Sequence, residues 1–266
     1  MEVLALLPPP LLSHLRIVLG SQHALAAVET LPALAEATRV RAADVVVVDP
    51  GCVGPALMPE LGDLIARHPT LPFVAYTALS PTALKPVVEL SKRGLQHVVL
   101  HRYEDEPRKF RELLERQSAS ALTETMLDLL APRLVGAPPA LVRAVERLFR
   151  QPHGFYTVGD LARAAGTTVR TVYRQCETAG LASPRLLVVG ARLLRAYQFM
   201  RDPGHSIEDV AAKLGYSAPR MFTRHARLAL GTTPRDLRRQ LTPGDVIARL
   251  ERVLLSPSAS AGDDAA

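Results

Sequence analysis

Four arginines stand in two i, i+4 pairs, Arg170 with Arg174 and Arg220 with Arg224, on stretches whose apolar residues recur at helical spacing. The guanidinium is a planar fork of donors that fits a phosphate or the O6 and N7 edge of guanine, so each pair could grip or read a duplex. Three further residues, Asp49, Thr77 and His101, close or follow the short apolar runs Asp44–Val48, Phe73–Thr77 and His97–Leu100. Open α/β sheets place their ligands beyond the carboxyl ends of the strands, which makes these three the residues to inspect in the N-terminal half.

The arginine pairs need rigid elements beneath them, and two segments read as helix-turn-helix units: Thr157–Cys176 and Ser206–Arg227. In each, a hydroxyl residue opens a short helix with an Asp three residues on (Thr157 with Asp160, Ser206 with Asp209), an approximation to a capping box. Gly166 and Gly215 then end the first helices, where a left-handed residue turns the chain. The second helices are expected to bury Val169, Val172 and Cys176 in the first unit, and Phe222, Ala226 and Leu230 in the second. Between the units, the amphipathic stretch Ser183–Arg201 would make a helix about 28 Å long. Recognition helices entering successive major grooves on one face stand about 34 Å apart, so that helix is a sensible spacer. The plainer alternative is a set of packed helices with a solvated arginine face, which the duplication of the pattern disfavours.

Charge divides the chain in the same place. Residues 138–241 hold 17 Lys and Arg against 7 Asp and Glu, whereas residues 1–117 hold 12 against 13. A basic excess confined to the segment with the doubled motif is the electrostatic footprint of a duplex-binding domain. A high-GC coding bias would also enrich arginine.

These residues resemble the AraC/XylS transcription regulators over about 138–241. In the second unit Gly215–Tyr216 stands for the family's Gly-Phe, Phe222 and Arg224 for its F-x-R, Arg227 for a lysine, and Gly231 with Pro234 for its closing G-x-x-P; Ala226 departs from the usual Phe. The first unit is a looser match, with Cys176 at a large apolar position. The resemblance implies groove-facing residues Arg170, Tyr173 and Arg174 in the first unit and Pro219, Arg220, Thr223 and Arg224 in the second. It also implies double-stranded promoter or operator DNA as partner. Pro219 has neither a backbone donor nor a polar side chain, which shifts readout to Arg220.

The N-terminal half has a different grammar. Apolar runs Val3–Leu7, Asp44–Val48, Phe73–Thr77 and His97–Leu100 alternate with helix-compatible segments Leu11–Leu19, Pro55–Arg67 and Pro81–Arg93. That alternation predicts a doubly wound parallel sheet of flavodoxin type, an α/β class fold followed by an all-helical domain. An Asp after strand three, a Thr after strand four and a basic residue after strand five resemble the response-regulator receiver over about 1–117, where the Asp accepts a phosphoryl group. Such receivers hold Mg²⁺ on paired carboxylates after strand one, whereas Leu7–Pro10 offer none. Without that charge stabilisation the expectation is a degenerate, pseudo-receiver domain in which Asp49, Thr77 and His101 do not run phosphorylation chemistry. Read alone, Asp49 is equally a strand-end residue capping the next turn.

Residues 118–137 are expected to form a linker with a helix, Ala121–Leu130, presenting Leu122, Met126, Leu129 and Leu130 on one face and ending near Pro132. A helix over Pro139–Arg150 would open the DNA-binding domain, 138–241, and residues 242–266 would be a C-terminal helix with a disordered polar tail. At 266 residues two cores are expected. The start LALLPPPLL lacks a basic n-region and no apolar run reaches eighteen residues, so a cytoplasmic protein without membrane contact is expected. Cys52 and Cys176 form no metal or disulfide pattern, and neither a metal nor another cofactor is expected. No metalloprotease, nucleophile-elbow or phosphate-loop motif occurs, which argues against an enzyme. The expectation is a transcription regulator controlled through its N-terminal half, either by homodimerisation with Leu84–His101 as the candidate interface or by a ligand or partner at the strand-end crevice, with RNA polymerase as a further candidate partner; Leu84–His101 reads equally as an ordinary core helix and strand. The alternatives are a response regulator phosphorylated on Asp49, and an adaptor that does not bind DNA.

Overall fold

Four consecutive valines, Val45–Val48, form β3 with every side chain buried, as a strand covered on both faces requires. The computed structural model describes residues 1–21, 23–79, 81–118 and 120–255. In chain order the first elements are β1 (Glu2–Leu6), α1 (Pro9–Leu19), β2 (Ala24–Ala27), α2 (Leu31–Val40), β3, α3 (Pro50–Val53), α4 (Met58–Arg67), β4 (Phe73–Thr77), α5 (Pro81–Ser91), β5 (His97–Leu100) and α6 (Pro107–Ser118). All strand pairs are parallel, in the order β2-β1-β3-β4-β5. Register places Val3 opposite Val45, Val46 opposite Phe73 and Thr77 opposite Leu100.

The pleat sends Val45 and Val47 to one face and Val46 and Val48 to the other. On the first face Leu11, Leu15 and Val18 of α1 and Phe110 and Leu114 of α6 close the core. On the second, Leu34 of α2, Leu61 and Leu64 of α4, and Val87 and Leu90 of α5 do so. Strand order reverses between β1 and β3, the point where this topology opens a crevice at the strand ends. The doubly wound parallel sheet predicted from the alternating runs is therefore present.

Local differences from the expected elements have local causes. β2 is an edge strand of sequence ALAA, without the β-branched or aromatic residues that mark a strand. The helix expected over Pro55–Arg67 instead begins at Met58, because Gly54 at φ +75° breaks the chain and Pro55–Leu57 form a tight turn. Leu7 lies beyond β1, and two prolines fill the first turn of α1, where a missing N–H is tolerated.

The chain folds into two compact units, Met1–Ala119 with Arg201–Asp209, and Ser120–Met200 with Val210–Ala266. The remaining helices are α7 (Ala121–Leu134), α8 (Pro139–Arg150), α9 (Val158–Ala164), α10 (Val169–Thr178), α11 (Pro184–Met200), α12 (Ile207–Lys213), α13 (Pro219–Leu230), α14 (Pro234–Gln240) and α15 (Pro243–Leu254). α7 passes through Pro132 to Leu134 rather than ending before it. The lost N–H falls in the last turn, and Leu134 is buried in line with Met126, Leu127 and Leu130. Leu122 and Leu129 are only half-buried, so the apolar face is rotated from the one expected. α11 is the near-complete core of this unit: Leu187, Leu193, Leu194, Ala196 and Tyr197 are all buried, and its 17 residues span about 26 Å. The polar tail beyond Leu255 lies outside the described residues.

Candidate nucleic-acid interface

Each arginine pair sits on the second helix of a unit whose first helix is fixed at its start by side-chain caps. Thr157 Oγ1 accepts from the Asp160 amide at 3.3 Å while Asp160 Oδ2 accepts from the Thr157 amide at 2.9 Å, closing a capping box ahead of α9. The same reciprocal pair links Ser206 and Asp209, both at 3.0 Å, ahead of α12. Gly166 at φ +61° and Gly215 at φ +69° then make the two turns in the left-handed region, where a side chain would be strained. Thr168 accepts from the Thr171 amide at 3.2 Å to start α10. α13 opens on Pro219 and ends at Gly231 in the left-handed conformation, followed by Thr233 capping α14 at Pro234.

Burial separates the inner from the outer faces of α10 and α13. Val172 and Cys176 are buried in the first, and Phe222, Ala226 and Leu230 in the second. Val169, expected inside, is 43% exposed, because at the first turn of α10 it precedes the packed face. Arg170, Tyr173, Arg174, Pro219, Arg220 and Arg224 all face solvent. Thr223 is half-buried and donates its hydroxyl to Pro219 O at 3.2 Å, so its proton is already committed within the helix. Burial pushes the Cys176 thiol up to about 12, leaving it an inert apolar filler.

Residues 161–240 match the family described as a helix-turn-helix domain. This helix-turn-helix domain is a DNA-binding module of transcription regulation, and the match runs from Leu161 within α9 through both glycine turns to Gln240. Full-length FixJ from B. japonicum, a solved structure, is 17% identical over 85% of this chain and 95% of that chain, with a TM-score of 0.37. No curated protein matches. Among the described residues no helix is long and apolar enough to cross a membrane.

Behind the second turn of the helix-turn-helix domain lies a group that the sequence did not single out. Arg192 of α11 is buried, donates from Nη2 to Leu214 O at 2.6 Å, and stacks 3.9 Å from the Tyr216 ring centroid. Leu214 is the residue before Gly215, so the guanidinium satisfies a carbonyl that the end of α12 leaves open. Tyr216 Oη in turn lies 3.2 Å from His225 Nδ1, a hydrogen bond whose donor is set by the imidazole tautomer. Arg192 is one of three arginines in α11 and carried no local motif. Its only trace was a charge on the inward side of the α11 pattern.

His225 gives this layer a pH dependence. Burial first, then the neighbouring charges of Arg192, Arg185 and Arg224, lower its pKa from 6.5 to about 4. The unfolded chain therefore takes up this proton first, and the stabilisation is complete above pH 6.5 and lost as pH falls towards 4. Solvent on the open side of the ring screens the effect to about 1–2 kcal/mol. Urea midpoints of the C-terminal unit should fall between pH 6.5 and 4.5 in the native chain and stay flat over that window in His225→Gln. Equal slopes in both would refute the assignment.

At the strand ends of the N-terminal unit, Asp49, Thr77 and His101 follow or close adjacent strands. Asp49 is buried and its Oδ1 accepts from the Gly51 amide at 2.9 Å, capping α3. Thr77 is buried at the end of β4 and its carbonyl accepts from the His101 amide at 2.9 Å. The His101 ring turns to Tyr76 and Asp105 rather than to Asp49, with Nδ1 2.8 Å from Tyr76 Oη and 2.6 Å from Asp105 Oδ2. Following β1, Leu7–Pro10 bring no carboxylate to this edge.

Proposed function

We propose that this protein is a sequence-specific, AraC-type transcription regulator that inserts α10 and α13 into successive major grooves of promoter DNA. The observation that carries this reading is the repetition of one construction: a capped short helix, a left-handed glycine, and a second helix with a buried inner face and outward arginines. Arg170, Tyr173 and Arg174 read or grip one half of the site. Arg220 and Arg224 serve the other, with Pro219 and Thr223 shaping the contact. The N-terminal unit acts as a pseudo-receiver that governs assembly without phosphorylation. Its edge strand β5 and the adjoining surface expose Val88, Val98 and Tyr103, an apolar patch suited to a second copy of the chain.

The test is a selection of bound fragments from genomic DNA, followed by affinity measurement across salt concentrations. Contact with about six phosphates predicts a slope of about −5 in log K against log salt, with at least a thousand-fold preference for the selected site, on the order seen for specific binders. Absence of any preferred fragment would refute the regulator and favour an adaptor. In the same assay Asp49→Asn should leave affinity and assembly unchanged, because Asp49 serves as a cap and no carboxylates follow β1 to hold a divalent ion. A small phosphodonor that labels Asp49 and alters dimerisation would instead establish a working receiver.

A further inference from the structure

Four polar atoms from three separated stretches of the N-terminal unit converge on one point beside His101. His14 comes from α1, Tyr76 from β4, and His101 and Asp105 from the turn after β5. Tyr76 Oη lies 2.9 Å from His14 Nδ1, 2.8 Å from His101 Nδ1 and 2.6 Å from Asp105 Oδ2. Asp105 Oδ2 also lies 2.6 Å from His101 Nδ1 and 3.4 Å from His14 Nδ1. The Tyr76 hydroxyl and the two Nδ1 positions supply at most one proton each, fewer than the close pairs they make, so at least two pairs have no proton of their own. A single cation held by His14, His101 and Asp105 would engage the lone pairs of those three groups at once, with the Tyr76 hydroxyl left to donate to Asp105.

The surroundings also suit an ion. Tyr76 is fully buried and floors the cluster, while the His14 and His101 side chains keep 24% and 23% of their exposure, leaving a way in. Asp105 Oδ1 accepts from the Arg102 amide at 2.8 Å, which turns Oδ2 inward, the kind of outer contact that orients a metal ligand. Arg102 holds φ at +68°, alone among non-glycine residues described, so the turn carrying two of the four groups is kept in a conformation that costs energy. Tyr76 Oη donates to Asp105 Oδ2 at 2.6 Å, the contact of a supporting donor to a ligating carboxylate.

We propose that His14, His101 and Asp105 form a binding site for a divalent transition-metal ion of the Zn²⁺ class, with Tyr76 as its supporting donor. Two imidazoles and one carboxylate suit Zn²⁺ and its neighbours and disfavour Mg²⁺ and Ca²⁺, which take oxygen ligands. Three protein ligands leave a fourth position for water or an effector. Ligands about 2.1 Å from a tetrahedral ion stand roughly 3.4 Å apart, which matches the 3.4 Å between His14 and Asp105. The His101–Asp105 pair, 2.6 Å apart, must open by about 0.8 Å, which rotation of the partly exposed His101 ring allows. An ion here would tie α1 to the turn after β5, and so couple metal supply to the shape of the strand-end surface. The binding claim does not depend on the DNA-binding reading.

The experiment uses the full chain stripped with chelator, titrated with Zn²⁺ by calorimetry and with Co²⁺ by visible absorption. One saturable ion per chain at micromolar or lower concentration is expected, with affinity at least ten-fold weaker in each of His14→Asn, His101→Asn and Asp105→Asn. Tyr76→Phe should still bind, since its ring keeps the floor and it is not a ligand, and Mg²⁺ should not compete. Thermal unfolding in chelator checks that each variant is folded. A native chain that binds no Zn²⁺, or an affinity unchanged in the folded His14→Asn/His101→Asn double variant, would overturn the proposal.

Discussion

Arg192→Ala should lower the stability of the C-terminal unit by about 2–4 kcal/mol and weaken DNA binding with it. Arg192 is 5% exposed, and its guanidinium is bonded to Leu214 O and stacked on Tyr216. Truncation removes a desolvated cation–π contact, opens a cavity in α11 and leaves the Leu214 carbonyl without its donor. Burial lowers the pKa of Arg192, the expected response of a cation held without a carboxylate partner. That cost of burying the charge explains why the net loss stays below the sum of the separate contacts. Arg192→Met separates packing from the polar contacts: it keeps the stem and most of the packing, loses the donor and the cation over Tyr216, and should cost about 1–3 kcal/mol. Urea unfolding of both variants checks the order. A loss under about 0.5 kcal/mol for the alanine variant would show that the turn before Gly215 holds without this bond.

The reach of the sequence followed the range of the interactions. Caps and turns are local: Thr157 with Asp160, Ser206 with Asp209, Gly166 and Gly215 were readable because each device spans three or four residues and has one dominant chemistry. The sheet was readable where burial on both faces demanded apolar runs, as in Val45–Val48, and failed at β2, an edge strand of alanines that propensity does not mark. Pro132 misled for the opposite reason. Proline rules describe helix interiors, and a buried Leu134 two residues further on outweighed one missing bond in the last turn.

The candidate sites divide along the same line. Arg170, Arg174, Arg220 and Arg224 were identified from helical spacing, and all four face solvent. By contrast, the expectation that no metal site exists rested on the lack of a local ligand pattern. The cluster of His14, Tyr76, His101 and Asp105 is assembled by the fold across α1, β4 and the turn after β5, and only His101 and Asp105, four apart, share a neighbourhood in sequence. Arg192 was hidden likewise, since its partners Leu214 and Tyr216 lie in a different helix and turn. Long-range polar convergence has no period, so it does not register in patterns of apolar spacing.

Arg220→Ala should weaken binding to the selected site by about 1–3 kcal/mol, roughly 5- to 150-fold, and relax the preference at one base pair. Along the first turns of α13, Pro219 has no donor and Thr223 spends its hydroxyl on Pro219 O, so Arg220 and Arg224 are the side chains left to donate there. Residues near the start of a recognition helix are the ones that reach base edges, which favours Arg220 as the reader. Arg220→Lys should recover little of the loss, because a point charge cannot reproduce two parallel donors on guanine. The salt slope distinguishes reading from gripping: a base contact leaves it nearly unchanged, whereas loss of one phosphate contact reduces it by about 1 and weakens all sequences alike. Arg170→Ala should relax a base pair in the other half-site. Because the two arginines sit on separate helices, the double variant should lose close to the sum of the single effects. A double variant no weaker than the more affected single would mean that only one of the two helix-turn-helix units enters a groove.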